Sequence, residues 1–494
     1  MSLAAALNTA QSIFNNTGTQ TSVISNNIRN SANTDYSRRI AVTGTSNSGA
    51  NIVKIQRAQD DAIFRQNIES ISQSGAQTAL TTGLTQLQAL LGSTTNHETS
   101  PSTYLGKFQN ALRTFAEKPS DSTAGAAAIA SAVDVANSLN ATSAGVQDIR
   151  LNADKEIATT VTDLKTLLKE FEEANNAVVS ETATKGDPLN ALDERDRVLK
   201  QIAGIIGVST VTRANDDMVL FTNDGTVLFE KTPREVTFAA TSGFQAGTIG
   251  KEILVDGIPI KTGSGANTTG QGKLAGLLQL RDEIAPKFQF QLDEIARSLV
   301  VSFAEAGNTS DVTSAPGLFN FRLSNGQENT SVPTAATQIQ GIAAALTVNS
   351  RAVHNPMVLR DGSINHITGN AEKDYSKNKD GLASYSDQLR LREQGLTSKI
   401  GFDPSALGPE SASILDFSTA SVGWLEQNRK AASTADTTKS AMVARTTQAL
   451  SNQTGVNMEE ELSLLMEMEQ SYKASAKLVQ AVDEMLNALL GMVR

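Results

Sequence analysis

Side chains that could bind a metal ion or act as a general base are few in this chain. It has three histidines, His97, His354 and His366, and no cysteine. We place each histidine in a loop, and the spacing of His354 and His366 matches no familiar metal signature. We therefore interpret the histidines as surface residues and expect no metal site, no cysteine nucleophile and no cofactor.

A glycine-rich stretch, Gly263–Gly272, is followed by Lys273 and has some likeness to a phosphate-binding loop. A P-loop ending there would need glycine where Asn267 stands, and serine or threonine where Leu274 stands. The pattern fails at both positions. We interpret the stretch as a flexible linker.

Paired carboxylates could serve as a catalytic acid and base, and Asp193, Glu194 and Asp196 lie close together in sequence. They alternate with Arg195 and Arg197 on one predicted helix, which favours local ion pairs on a solvated face. With no nucleophile, base and oxyanion set in the sequence, we predict that the protein is not an enzyme.

A second acidic run, Glu459–Glu461, follows Asn457. Carboxylates stabilise the positive end of a helix, and Glu460 can complete a capping box with Asn457. We interpret this run as the start of the last helix.

The elements that could position any site begin with the two chain ends. Met1 to Ile28 has no charged side chain, and Gly18 weakens an isolated helix there by about 1 kcal/mol relative to alanine. Its apolar residues follow a heptad pattern; they are Leu3, Leu7, Ala10, Phe14, Ile24 and Ile28. This pattern predicts an amphipathic helix that gains stability by packing.

The C-terminal segment, Val456 to Arg494, has two apolar stripes. One consists of Leu462, Leu465, Tyr472, Ala476, Val479, Leu486, Leu490 and Val493, and the other of Leu478, Val482, Met485, Leu489 and Met492. Two stripes predict a helix with more than one neighbour. The terminal helices could equally be ordinary bundle helices; we favour their pairing with each other and with other copies.

The middle of the chain reads as helices interrupted by strands. Helical periodicity runs through residues 51–206, and Asp187-Pro188 is a helix start whose helix ends at Gly207. From Val208 the apolar residues recur at a period of two, which is typical of strands. Together with the turn residues Asn223-Asp224-Gly225 and Asp256-Gly257, this pattern predicts two hairpins. Helix resumes at Ile284–Phe303, breaks in a loop-rich segment near 307–333, and continues apart from a loop near 402–409.

The predicted fold class is mainly α with a small antiparallel β insertion and a long helical bundle as the body. We divide the chain into an inner terminal-helix domain (1–50 with 455–494), a helical body (51–206 with 273–454) and a β-rich unit (207–272). The terminal helices would pair in a coiled-coil-like inner domain.

Charge and hydropathy exclude several classes of protein. The formal net charge is −10 with no run of Lys and Arg, which argues against nucleic acid as a partner. No apolar stretch approaches the roughly 20 residues that span a bilayer, so no membrane partner is expected. No basic residue precedes Arg29, so the sequence predicts export without a cleavable signal peptide if the protein leaves the cell.

The N-terminal string Ile24-Ser25-Asn26-Asn27-Ile28, with Tyr36 and Arg38 downstream, resembles the signature of bacterial flagellar rod, hook and hook-associated proteins. The segments Leu189–Asp196 and Gly272–Asp282 look like parts of the hook-associated proteins that form the first hook–filament junction layer. The C-terminal helix is similar to that family's last helix. The family often carries a large outer β domain near 307–333, where this chain has only a short segment.

The resemblance implies a structural adaptor of the bacterial flagellum, which joins the hook to the filament by self-assembly at the distal end of the hook. Implied partners are copies of itself in a ring or helix, the hook protein, the second junction protein, the export apparatus and an export chaperone that binds the C-terminal helix. The implied location is extracellular, at the hook–filament junction. Ser25, Asn26, Asn27, Tyr36 and Arg38 carry the family motif.

We predict that the inner layer is held by apolar residues of both terminal helices. These are Leu3, Leu7, Phe14, Ile24 and Ile28 in the first helix and Leu465, Tyr472, Val479 and Leu486 in the last. Two alternatives remain. The chain could be another axial component, such as a hook protein or the second junction protein, or a secreted cell-wall hydrolase with an axial-type export end.

Overall fold

The computed structural model describes residues 3–46, 49–310, 312–323, 325–334, 339–365 and 375–492, with side chains at these positions except 3–6, 45, 46, 49, 50, 489, 490 and 492. Most of this part is helical, and its strands form small antiparallel sheets. The predicted fold class is confirmed. His366 and Val493 lie outside the described residues.

Thirteen α-helices occur in the described residues. They are α1 (Leu3–Arg29), α2 (Asp61–Ala89), α3 (Pro101–Glu117), α4 (Ser122–Ala183), α5 (Leu189–Ile205), α6 (Lys273–Gln279), α7 (Ala285–Ser302), α8 (Ile342–Ala345), α9 (Ser350–His354), α10 (Val358–Asp361), α11 (Asp387–Thr397), α12 (Ile414–Thr454) and α13 (Met458–Met492). Apolar residues that recur at helical spacing in α2, α3 and α4, such as Leu84, Leu112 and Leu164, are fully buried, as the predicted helical periodicity requires.

Strands form five small sheets in the same part of the chain. They are the pair β1 (Arg39–Ser46) and β2 (Gly49–Arg57); the sheet β3 (Val208–Thr212), β4 (Met218–Thr222), β5 (Val227–Glu230) and β6 (Thr232–Pro233); the sheet β7 (Val236–Thr237), β8 (Leu254–Val255) and β9 (Ile258–Pro259); and the pairs β10 (Phe319–Phe321) with β11 (Leu346–Val348) and β12 (Ile400–Gly401) with β13 (Ser411–Ala412). Both predicted hairpins are confirmed. Gly225 and Gly257 take the positive φ, 86° and 79°, that such turns require.

The chain forms two compact units. The first contains Met1–Ser74, Asp163–Glu235 and Thr438–Arg494. Within it, Phe171 of α4 meets Phe229 of β5 edge to face, with ring centroids 5.0 Å apart. Asn175 of α4 accepts hydrogen bonds from Arg195 of α5 and from the backbone of Met218. These contacts fix α4, α5 and the four-stranded sheet together.

The second unit contains Gly75–Thr162 and Val236–Thr437. Its centre is α7, which is buried along most of its length. Phe108, Phe303 and Phe319 form an aromatic cluster with centroid distances of 5.2 to 5.7 Å. A π-helical turn at Leu280–Ile284 joins α6 to α7, so helix begins earlier than the predicted Ile284.

Three sequence-based predictions of local structure were wrong. Residues 51–57 belong to strand β2 and not to a helix, because β-branched residues favour a pleated surface. Among the described residues between 333 and α11, the helices and strands are all short. His354 ends helix α9 and does not lie in a loop.

The glycine-rich stretch is held by buried side chains. Gln77 accepts from the backbone of Thr268 and donates to Ala266, while Gln279 bonds the Thr268 hydroxyl and the Gly265 carbonyl. The prediction of a flexible linker was therefore wrong. A Cβ at Gly263 would lie 2.6 Å from the Gly270 nitrogen, so the backbone is closed on itself where a phosphate would have to enter.

Candidate assembly site

The motif residue Asn27 is the centre of a hydrogen-bond network in the first unit. Its side chain is 1% exposed. The amide nitrogen donates to the carbonyl of Arg39 at 2.9 Å and to Glu461 Oε2 at 3.1 Å. The amide oxygen accepts from the Arg39 backbone at 2.9 Å and from the Tyr36 hydroxyl at 2.8 Å. One asparagine thus links the end of α1, the start of β1 and the first turn of α13.

Arg38 adds an ion pair to the same junction. Its Nε lies 2.6 Å from Oε1 of Glu461, and its terminal nitrogen lies 3.2 Å from Glu460. Glu461 is 1% exposed, whereas Glu460 is 54% exposed. The Arg38 backbone also donates to the Thr454 carbonyl at 2.7 Å. Glu461 is therefore more than a helix-start residue, although Asn457 does cap α13.

The aspartates of α5 hold the base of the β1–β2 hairpin. Asp193 pairs with Arg39 at 2.6 Å, and Asp196 pairs with Arg57 at 2.7 Å. Both carboxylates are largely buried, which corrects the predicted solvated face. Burial raises the pKa of Asp196, while the positive charge of Arg57 acts in the opposite direction. The Glu194–Arg197 pair is local and partly exposed, as predicted, and it lowers the pKa of Glu194.

The predicted assembly residues take different environments in the described part of the chain. Phe14 and Tyr472 meet edge to face with centroids 5.0 Å apart, so α1 and α13 are neighbours. Ile24 is buried, whereas Leu7, Tyr472 and Leu486 are exposed by 41%, 53% and 40%. The remaining apolar positions, Ile28, Leu465 and Val479, are half-buried.

Two further motif residues, Ser25 and Asn26, are exposed and half-buried, respectively, and the Leu3 side chain lies outside the described residues. The assembly role of all these residues stays a prediction.

The Gly272–Asp282 segment has a structural role inside the second unit. Arg281, which is fully buried, bonds Asp154 at 2.6 Å and Asp282 at 2.7 Å. The Arg281 carbonyl accepts from Arg150 at 2.9 Å. Burial lowers the pKa of Arg150 to about 10. The sequence analysis did not predict this buried charge network. The charged pair Arg281-Asp282 directly after an apolar run was the feature of the sequence that could have indicated it.

The described residues contain no group of three histidine, cysteine or acidic side chains arranged to hold a metal ion. Among those same ranges, no helix is both long and apolar enough to cross a membrane. What the network does provide is a fixed junction between the two chain ends.

Two family models match separate parts of the chain. A family model described as the flagellar hook-associated protein FlgK helical domain matches residues 84–318. A second, described as the flagellar basal body rod FlgEFG protein C-terminal, matches residues 447–492. The second match covers all of α13, including Glu461.

Two curated relatives carry the name flagellar hook-associated protein 1. The protein of Escherichia coli is 22% identical over 320 residues, which covers 62% of this chain and 57% of the relative. The protein of Bacillus subtilis is 22% identical over 475 residues, covering 90% and 86%. The solved structure of the flagellar hook junction protein FlgK from Burkholderia pseudomallei has a similar fold, with a TM-score of 0.57, 13% identity, and coverage of 78% of this chain and 99% of that chain.

The chain is therefore similar to structural proteins of the bacterial flagellar axis over residues 84–318 and 447–492. Both of these named relatives are hook-associated proteins, and the FlgK structure shares the fold of this chain.

Proposed function

We propose that this protein is the adaptor that joins the hook to the filament. Copies would assemble in a ring or helix on the distal end of the hook and would then receive the second junction protein. The observation that carries the proposal is the Asn27–Glu461 junction, because it makes one assembly element from both chain ends.

Exposed apolar residues on α13 support assembly with further copies. Leu462, Met466, Leu478 and Met485 are 46%, 60%, 50% and 50% exposed. Large apolar side chains left exposed on one helix are characteristic of interaction surfaces. A screw or ring arrangement needs heterologous contacts, which two faces of one helix can supply.

The remaining partners follow from the same proposal. The hook protein would lie below the assembled layer and the second junction protein above it. Export would use the flagellar export apparatus without a cleavable signal peptide, with a chaperone on the C-terminal helix, and the final location would be extracellular. We keep the proposed division into an inner terminal domain, a helical body and a β-rich unit for this assembly.

The decisive experiment uses isolated hooks that lack filament and junction proteins. The purified chain is added, and electron microscopy is used to look for new density at one end. We expect limited growth at the distal tip, followed by addition of the second junction protein and filament. No binding, or unlimited self-polymerisation, would contradict the adaptor role and favour another axial component.

A further inference from the structure

The sequence contains a single Asn-Gly pair, Asn325-Gly326, and every other asparagine precedes a residue with a side chain. An asparagine can lose its side-chain amide when the backbone nitrogen of the next residue attacks the amide carbon. Glycine favours this attack because it has no side chain in the way and its backbone adopts many conformations. The pair is therefore the position in the chain where the sequence most favours spontaneous deamidation.

The fold presents this pair at the tip of an exposed turn in the second unit. The backbone nitrogen of Leu323 donates to the carbonyl of Gln327 at 2.8 Å and closes the turn. Asn325, Gly326 and Gln327 are all exposed, so water reaches the amide. Gly326 has a φ of 81°, a conformation that favours glycine. Exposed loop tips are also the places where covalent change is best tolerated.

Hydrogen bonds hold the Asn325 side chain over the peptide that follows it. Oδ1 accepts from the backbone nitrogen of Gln327 at 3.0 Å, and Nδ2 donates to Oε1 of the same residue at 3.1 Å. The first of these bonds is the pattern of an Asx turn, which brings the side-chain carbonyl toward the backbone nitrogen of Gly326. The bond to Oδ1 also draws electrons from the carbonyl carbon, so that carbon is more easily attacked.

Asn329 in the same segment serves as a matched control. Its Oδ1 likewise accepts from the backbone two residues on, at Ser331, over 3.3 Å. However, Asn329 is only 6% exposed, and it precedes Thr330, whose branched side chain hinders approach to the backbone nitrogen. The same type of turn is therefore combined there with burial and a bulky neighbour.

We propose that Asn325 is a self-modification site, at which the folded chain converts asparagine to aspartate and isoaspartate without an enzyme. The backbone nitrogen of Gly326 forms a bond to Cγ of Asn325, and the bond from Cγ to Nδ2 breaks. Nδ2 leaves as ammonia and carries the proton that the Gly326 nitrogen gives up. Water then adds to either carbonyl of the five-membered imide and opens it. No group is oxidised or reduced.

The reaction changes both the charge and the main chain of the turn. A neutral amide becomes a carboxylate, and the isoaspartate product has one additional CH2 group in its backbone. Gly326 donates to the Leu323 carbonyl at 2.8 Å in the unmodified turn, and this bond opens when the nitrogen loses its proton. Because ammonia is lost to solvent, the modified fraction grows with the age of the protein.

The test follows both asparagines in one sample of the full-length protein. The folded protein is kept at mildly alkaline pH, which favours loss of the proton from the attacking nitrogen, and peptide mass spectrometry measures deamidation over time. We expect deamidation at Asn325 to be at least several-fold faster than at Asn329, with isoaspartate among the products. A parallel sample at mildly acidic pH should react several-fold more slowly at Asn325.

Gly326→Ala is the variant that tests the role of glycine. A Cβ at this position would meet nothing within 4 Å, and circular dichroism checks that the variant is folded. Its deamidation at Asn325 should be several-fold slower than in the unmodified protein. The comparison of Asn325 with Asn329 is made within one protein and does not depend on how this variant folds.

Three results would overturn the proposal. Equal rates at Asn325 and Asn329 would remove the special reactivity of the pair, and an unchanged rate in Gly326→Ala would remove the role of glycine. The third is an intact Asn325 in the folded protein when the same residue is deamidated in protein unfolded by urea, because the fold would then protect the amide.

Discussion

The side-chain amide of Asn27 donates a hydrogen bond to the carboxylate of Glu461 at 3.1 Å, across 434 positions of sequence. Both side chains are 1% exposed, so this bond has little competition from water. The junction forms only when both ends of the chain are folded together. It therefore couples the order of α1 to that of α13.

Replacing Asn27 should destabilise the first unit selectively. Asn27→Ala removes one hydrogen bond from the buried Glu461 carboxylate, which keeps Arg38, and it removes the side-chain partner of the Arg39 backbone N–H and C=O. We expect a loss of about 2–4 kcal/mol. Urea unfolding of the purified protein measures it. Ser25→Ala, at an exposed position of the same helix, should change stability by less than about 0.5 kcal/mol; equal effects would argue against the network.

Replacing the neighbouring residues Glu461 and Glu460 of α13 should lower the stability of the protein by very different amounts. Glu461→Gln removes the charge that a largely buried Arg38 faces at 2.6 Å, and breaking such a pair costs about 3 kcal/mol. Glu460 is 54% exposed, so Glu460→Gln should cost no more than about 1 kcal/mol. Hydrogen exchange of the α1 backbone amides measures the loss of stability in both variants. Similar protection in the two variants would contradict a special role for Glu461.

Charging the exposed apolar residues of both terminal helices should abolish assembly and leave the fold intact. In the double variant Leu7→Asp with Leu486→Asp, two partly exposed side chains become acidic. We expect an unchanged circular dichroism spectrum and no density at hook tips in electron micrographs. Normal incorporation of this protein would rule out the proposed inner-layer contacts.

Alanine substitution at two helix glycines of the second unit should change the free energy of unfolding in opposite directions. A Cβ at Gly276 would lie 2.2 Å from the Ala76 carbonyl oxygen, while a Cβ at Gly423 would meet nothing within 4 Å. Gly276→Ala should cost about 1–3 kcal/mol through overpacking. Gly423→Ala should add about 0.5–1 kcal/mol through helix propensity. Thermal unfolding compares them, and a neutral Gly276→Ala would disprove the close approach.

Asp293 should give the second unit a measurable pH dependence. Burial raises its pKa from the ordinary 3.8 to about 7, although the backbone amides of Gly341 and Ala343 act to lower the pKa. Between these values the folded state holds a proton that the unfolded state has released. The free energy of unfolding therefore falls as pH rises through this window, by at most about 1.4 kcal/mol per pH unit.

Asp293→Asn tests this, because asparagine does not titrate. Urea unfolding between pH 4 and pH 8 should show a flatter dependence in the variant than in the unmodified protein. Identical slopes would mean that Asp293 has an ordinary pKa in the fold.

Helical periodicity in the sequence was enough to predict the buried face of α2. Leu80, Leu84 and Leu87 recur at helical spacing, and each is fully buried. Asn-Asp-Gly and Asp-Gly turns likewise predicted both hairpins, because their conformations are local and few other residues adopt them. Such features depend on neighbours within a few positions, which a sequence shows directly.

Only the tertiary structure decided which charges meet. Asp193 lies beside Arg195 in sequence, so a local ion pair was a reasonable expectation, yet its partners are Arg39 and Arg57. Glu461 read as a helix-start residue, and its neutralising group comes from Arg38 at the other end of the chain. The reason is that burial makes an unpaired charge costly, and the partner is set by which helices pack together and not by distance along the sequence.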